Sequence, residues 1–295
     1  VFIALASIGA YVFFNLLLTP GIGPAGPQVP AEPFKKVWNS QTVLLLGVGD
    51  SITQGFGASE GYSYFDRLIK SPAADSCEMF GKNLSTVFPK FMSRNIAVAK
   101  TDSMQHLQII KKFPIQSQNV FGVIVITTGG NDLIHNYGKS QPKECAMYGA
   151  SLETAKPWIN NFKNRLDEII FELTAKFPGG CEIFIANIYD PSDGTGNTNK
   201  KFTGLPEWPD GLAILAEYNK VISDCADRYS IAHLVDIHTP FLGHGITCRK
   251  PWLKNYHSDD PHFWYAGIIE DPNPRGHDAI RRAFLLEMIK SFSNK

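Results

Sequence analysis

The sequence has no surplus of charge: Lys and Arg number 28, and so do Asp and Glu. Without a basic excess the chain lacks the electrostatic footprint that holds a phosphate backbone, so no nucleic-acid partner is expected. Cysteine is scarce, at five in 295 residues, and no two of them form a C-x-x-C pair. That argues against a zinc ribbon and against a thioredoxin-like redox motif. Charged residues are only 19% of the chain and hydrophobic residues 44%. This composition excludes a disordered chain and a coiled coil. No internal repeat is present, and 295 residues are enough to bury a sizeable core.

Charge is wholly absent from Val1 to Thr19, VFIALASIGAYVFFNLLLT. A membrane-spanning helix needs about 20 apolar residues, whereas the apolar region of a secretory signal is about 7–15 residues long. A membrane anchor is therefore the first expectation, a cleaved signal the second and a buried core helix the third. The first two carry the rest of the chain out of the cytoplasm. Residues 20–36 are rich in proline and glycine, and such linkers are extended and semi-rigid. They read as a stalk ahead of a domain over residues 37–295. In an oxidising compartment Cys77, Cys145, Cys181, Cys225 and Cys248 allow one or two disulfides and leave at least one thiol unpaired.

Beyond the linker, short apolar runs alternate with helical ones. Thr42–Val48 and the β-branched Val120–Thr127 read as buried strands. Asn95–Ala99, Glu182–Ile188 and His233–Ile237 are further strand candidates. Helical spacing covers Tyr62–Lys70, Trp158–Lys176, Gly211–Tyr229 and Asp278–Phe292. Such alternation predicts an α/β domain with a parallel sheet covered on both faces. Ligands then sit beyond the carboxyl ends of the strands. Three connections, residues 71–94, 190–210 and 239–271, are long enough to serve as binding walls.

The first strand runs into Gly49-Asp50-Ser51-Ile52-Thr53-Gln54-Gly55, and the central strand into Thr128-Gly129-Gly130-Asn131-Asp132. A serine at a strand's carboxyl end is exposed and can act as a nucleophile if a base is near. The plainer reading of Ser51 is a helix N-cap, as it is for Asn131 or Asp132. Glycines let backbone approach a ligand, and the Asn131 amide can donate to an oxyanion.

Together, GDSITQG and GGND resemble blocks I and III of the SGNH, or GDSL, hydrolases. The resemblance implies a flavodoxin-like three-layer α/β/α sandwich with a five-stranded parallel sheet. It also implies a Ser-His-Asp esterase that needs no cofactor and no metal. Motif by motif, it makes Ser51 the nucleophile and Asn131 an oxyanion donor beside the Ser51 N–H. Asn95-Ile96-Ala97-Val98-Ala99-Lys100 is similar to block II, with Lys100 where the family has glycine. Its backbone N–H survives as a third donor.

Block V departs most. The family's D-x-x-H-P-N-x-x-G is matched at Pro272-Asn273-Pro274-Arg275-Gly276, but Asp271 holds the place of the histidine and Ile268 that of the aspartate. A D-x-x-H lies just upstream, as Asp259 and His262. Read as a shifted block V, it gives Ser51, His262 and Asp259 as the triad, with residues 263–269 inserted. Asp260 competes as the orienting acid and His277 as an alternative base. In the remaining reading Asp271 replaces the histidine and catalysis is impaired. His257 and His262, with Asp259 and Asp260 between them, also have the residue types of a metal site, though no second half matches them.

The expected activity is hydrolysis of carbohydrate O-acyl or lipid esters through an acyl-enzyme. An envelope glycan O-acyltransferase using the same residues and a catalytically impaired binding module are the alternatives. Trp252, Tyr256, Phe263, Trp264 and Tyr265 supply either loop packing or a wall for an acyl chain or a sugar ring.

Overall fold

The computed structural model describes residues 2–198, 200–267 and 269–293; Ile268, assigned above to the place of the family's aspartate, lies outside them. In chain order the helices are α1 (Phe2–Asn15), α2 (Ser51–Gln54), α3 (Tyr64–Ile69), α4 (Leu84–Val87), α5 (Ser103–Lys112), α6 (Gly130–Ile134), α7 (Leu152–Lys176), α8 (Lys200–Thr203), α9 (Gly211–Arg228), α10 (His238–Phe241) and α11 (Pro274–Ser293). The strands are β1 (Thr42–Val48), β2 (Lys90–Asn95), β3 (Val120–Thr127), β4 (Cys181–Ala186), β5 (Ala232–Val235) and a short pair, β6 (Tyr265–Ala266) and β7 (Asp271–Pro272).

The central sheet has the order β2-β1-β3-β4-β5, and every pairing in it is parallel. This is the flavodoxin-like order, in which the chain reverses direction across the sheet between β1 and β3. Alternate residues of each inner strand feed opposite faces. Leu45, Val123 and Phe184 pack under α11 and α3 against Tyr64, Ile280 and Phe284. Leu46, Ile124 and Ile185 pack under α5, α7 and α9 against Ile110, Leu166 and Ile222. Because both faces are covered, β1 and β3 read as continuous apolar runs, and each fully buried leucine contributes about 2 kcal/mol.

β1 and β3 match their expected limits, and the long helices lie where the periodicity puts them. α7 starts six residues early because the Ser151 hydroxyl caps it, accepting from the Thr154 N–H at 3.2 Å. The second strand is displaced: it is Lys90–Asn95, not Asn95–Ala99. It is an edge strand with five of six residues exposed, so polar residues satisfy it and it leaves no apolar run to read.

The N-terminal region differs more. α1 covers 14 residues of the uncharged N-terminal stretch. Among the described residues no helix is long and apolar enough to cross a membrane. Phe14 meets Trp252 edge-on at 5.0 Å, and the Arg249 guanidinium sits 4.9 Å from the Phe13 ring centre. The stretch after it is a strap rather than a free stalk. Ala25, Val29 and Phe34 are buried in the core, and the Ala25 N–H donates to Asp278 at 3.2 Å. Asp278 also accepts from Arg281 and Arg282, which reach on to Asp75 and Glu78. Buried charges survive only when paired, and this network clamps strap, long loop and α11 together. Cys77 is exposed, and Cys145, Cys181, Cys225 and Cys248 are buried.

Candidate active site

The nucleophile candidate is set by close backbone packing at the ends of β1 and β3. Gly49 has φ +137°, and a Cβ there would fall 2.3 Å from the Thr127 carbonyl oxygen. Only glycine lets the two strand ends meet this closely. The next residue, Asp50, caps α2 by accepting from the Ile52 N–H at 3.1 Å and takes a second bond from the Thr127 hydroxyl at 2.8 Å. Since Asp50 is the N-cap, the Ser51 hydroxyl is not spent on capping. Burial pushes the Asp50 carboxyl up to about 7, against the pull of its Thr127 and Ile52 hydrogen bonds.

Block II and block III close on this turn from two sides. Asn95 donates to the Thr53 carbonyl at 2.7 Å and accepts from the Ala97 N–H at 3.0 Å. Lys100 occupies the left-handed region, with φ +65°. The lysine has kept the backbone shape of the glycine expected there, at a steric cost of about 1–2 kcal/mol. Asn131 donates one amide hydrogen to the Thr101 carbonyl at 2.8 Å, which leaves its second hydrogen unassigned. Among the described residues, neither the Ser51 nor the Lys100 N–H donates to a protein acceptor. Asp132, fully buried, accepts from the Ser103 N–H and hydroxyl at 3.0 and 2.5 Å and holds the block III turn to α5.

Ser51 and Asn131 open into a cavity of about 160 Å³. Away from them its walls are Leu133, Ile134, Leu205, Trp208, Leu212 and Leu215, drawn from α6, the 190–210 connection and α9. Asn219, on α9, holds the residues just after β4, accepting from the Ile188 N–H and donating to its carbonyl, both at 2.8 Å. Asp236 caps the turn after β5 and accepts from Asn187 at 2.8 Å.

A short hairpin strand, β7, is brought beside α2. The segment between Asp259 and α11 forms a hairpin in which Ala266 pairs with Asp271 and Tyr265 with Pro272. Gly57, φ +86°, admits its second strand: a Cβ there would lie 2.2 Å from the Pro272 carbonyl oxygen. Burial raises the Asp271 carboxyl above its ordinary range. Its Oδ1 is buried without a hydrogen-bond partner. Glu270, also raised by burial, accepts from the Tyr137 hydroxyl at 3.1 Å.

His262 is hydrogen-bonded to Asp260. It precedes the hairpin, packs under Gly21 of the strap and puts Nδ1 2.7 Å from Asp260 Oδ1. It is not among the residues lining the cavity. The partner is thus the competitor Asp260, while Asp259 is exposed. Asp260 also binds Arg275 and the Trp264 indole, so it ties the loop to α11. The hairpin returns the chain so that its second strand, β7, packs beside α2.

His277 is fully buried and spent on backbone. Nδ1 accepts from the Tyr64 N–H at 3.2 Å and Nε2 donates to the Phe56 carbonyl at 2.8 Å. Burial lowers its pKa to about 4. It packs as a buried residue at the start of α11. His257 reaches the Leu242 carbonyl at 3.0 Å, and no cluster of three His, Cys, Asp or Glu suited to a metal occurs among the described residues.

The sequence model of the GDSL-like lipase/acylhydrolase family matches residues 48–279. Among curated proteins none matches the sequence. Solved structures share the fold at low identity. A catalytic mutant of Axe2, an acetylxylan esterase from Geobacillus stearothermophilus, is 17% identical, with a TM-score of 0.53 over 85% of this chain and 95% of that one. An extracellular lipase from Streptomyces rimosus is 16% identical, with a TM-score of 0.51 over 85% and 99%. LAE5, from the metagenome of Lake Arreo in Spain, is 15% identical, with a TM-score of 0.52 over 85% and 97%.

Proposed function

The chain belongs to the GDSL-like lipase/acylhydrolase family, and from that premise we propose that it hydrolyses carboxylic esters with an apolar acyl chain, Ser51 being the nucleophile. The observation that carries this reading is the apolar cavity behind Ser51. An acetyl group would leave those walls in contact with water; a chain of several carbons covers them, at about 0.8 kcal/mol per buried methylene. The acyl carbonyl then lies between Ser51 and Asn131, and its developing charge falls to the Ser51 N–H, the Lys100 N–H and the second Asn131 amide hydrogen.

Lipid esters fit this cavity better than acetylated sugars. The N-terminal helix supports the same choice: Ile3, Leu5 and Ile8 are exposed on α1, as is Trp252 beside it.

A second reading has an observation of its own. No histidine is among the described residues lining the cavity, which favours an acyl-binding module without turnover. Hydrolysis of 4-nitrophenyl acetate, butyrate and octanoate by the wild type and Ser51→Ala separates the two. An esterase of the proposed kind prefers octanoate and loses its activity in Ser51→Ala. Equal rates for both proteins on every ester leave the binding module.

A further inference from the structure

We propose that His106 is a positioning residue of the oxyanion site: its imidazole bridges the block II and block III turns and holds the Lys100 N–H and the Asn131 amide in register. The inference rests on the ester-hydrolase reading above. It adds to that reading a residue that does not itself line the cavity.

The two turns need a bridge because the sheet does not supply one. The block II turn follows β2 and the block III turn follows β3, and β1 lies between these strands. Two strand spacings, about 10 Å, separate them as they leave the sheet, so no ladder hydrogen bond joins their ends. His106, on α5, spans the gap. Its Nε2 lies 2.9 Å from the Thr101 hydroxyl and its Nδ1 2.9 Å from the Thr128 hydroxyl. Thr101 follows Lys100 in block II, and Thr128 precedes Gly129-Gly130-Asn131 in block III. Thr128 and Asn131 line the same cavity as Ser51. The Asn131 amide also links the two turns directly, through the Thr101 carbonyl at 2.8 Å. One bond between two turns is a hinge; a second, through His106, fixes their angle as well.

The donor pattern has one solution. The Thr101 hydroxyl donates its hydrogen to the Val98 carbonyl at 2.6 Å, with the Gly49 carbonyl at 3.3 Å beside it. Its oxygen therefore accepts from His106 Nε2–H. Nδ1 is then the unprotonated nitrogen and accepts from the Thr128 hydroxyl. All three side chains are buried, and burial lowers the His106 pKa to about 3, so the ring is neutral. A polar ring in the core is costly unless both nitrogens are satisfied, and an apolar side chain would fill the same space without that condition. What the imidazole adds is a rigid link with a donor at one end and an acceptor at the other. One turn earlier on α5, Ser103 holds block III a second time through Asp132.

An oxyanion donor must lie about 2.7–3.1 Å from the developing charge, and a misplacement of about 1 Å costs about 100-fold in rate. Binding of the acyl chain falls to the apolar walls instead. Loss of the bridge should therefore appear in kcat and not in KM.

The test uses the full chain with 4-nitrophenyl octanoate. It compares wild type, Ser51→Ala, Asn131→Ala, His106→Leu, His106→Gln and the double variant Asn131→Ala/His106→Leu, each assayed well below its melting temperature. His106→Leu is expected to lower kcat about 10- to 100-fold with KM within about twofold. His106→Gln, whose amide also carries a donor and an acceptor, should recover most of that rate. Residues that act as one unit are not additive, so the double variant should lose far less than the product of the two single losses. A packing role would lower the melting temperature and leave the kcat of the folded protein as it was. Wild-type kcat in His106→Leu, a change confined to KM, or full additivity in the double variant overturns the proposal while leaving the esterase reading intact. If His106→Leu does not fold, Thr128→Val decides, because it removes the hydroxyl and keeps the shape. A fall in its kcat supports the bridge, and an unchanged kcat overturns it. If the wild type hydrolyses no ester faster than Ser51→Ala, the esterase reading fails and the proposal falls with it.

Discussion

Asn131 donates one of its two amide hydrogens to the carbonyl of Thr101, the residue after Lys100, at 2.8 Å. This bond fixes the Asn131 side chain against the block II turn, and Asn131 lines the same cavity as Ser51. Removing the amide should therefore act on the transition state more than on substrate binding. Asn131→Ala is expected to lower kcat by about 100- to 1,000-fold with KM nearly unchanged, the size found for a lost oxyanion donor. Steady-state kinetics on 4-nitrophenyl octanoate read both constants, and a change confined to KM would remove Asn131 from the oxyanion site.

Lys100 holds a backbone shape that favours glycine, at φ +65°. Lys100→Gly relieves the strain but frees the unfolded chain, so the net gain is about 0.5–1 kcal/mol. The backbone N–H remains, and activity should remain with it. Lys100→Pro has neither the N–H nor the required φ, and both stability and rate should fall. Thermal melting and the same ester assay check the pair.

His277 ties the stability of the fold to pH. Its pKa is about 4 in the folded protein and about 6.5 when unfolded. A group whose pKa is lowered by folding contributes stability that is complete above the unfolded value and is lost as pH falls towards the folded one. Between pH 7 and pH 4.5 this single group should cost on the order of 2 kcal/mol. Urea unfolding at the two pH values measures it. His277→Gln should be less stable at pH 7 and lose less on acidification.

The strap predicts a contrast between two glycines. A Cβ on Gly26 would lie 2.6 Å from the Ala279 Cα of α11, whereas one on Gly23 meets nothing within 4 Å. Both have positive φ, so both substitutions carry about 1–2 kcal/mol of backbone strain. Gly26→Val adds overpacking of about 1–3 kcal/mol, and its melting temperature should fall clearly below that of Gly23→Val. Equal melting temperatures would mean that the strap does not pack on α11 in solution.

The sequence by itself determined the sheet and half of the site. β1 and β3 are legible because a strand covered on both faces must be apolar throughout, and their ends place Ser51 and Asn131. The lysine at position 100 is legible too, since a backbone N–H survives any side chain but proline. Tertiary structure decided the rest. Edge strand β2 satisfies itself with solvent, so Lys90–Asn95 carries no apolar pattern. The strap looks like a stalk because proline and glycine signal irregular backbone whether it is free or packed, and only Asp278 and Ala279 show which. The partner of His262 was beyond sequence for a related reason. Asp259-x-x-His262 has the right spacing along the chain, but a hydrogen bond is set by position in space. The hairpin turns His262 towards Asp260 and the strap, and brings β7 beside α2.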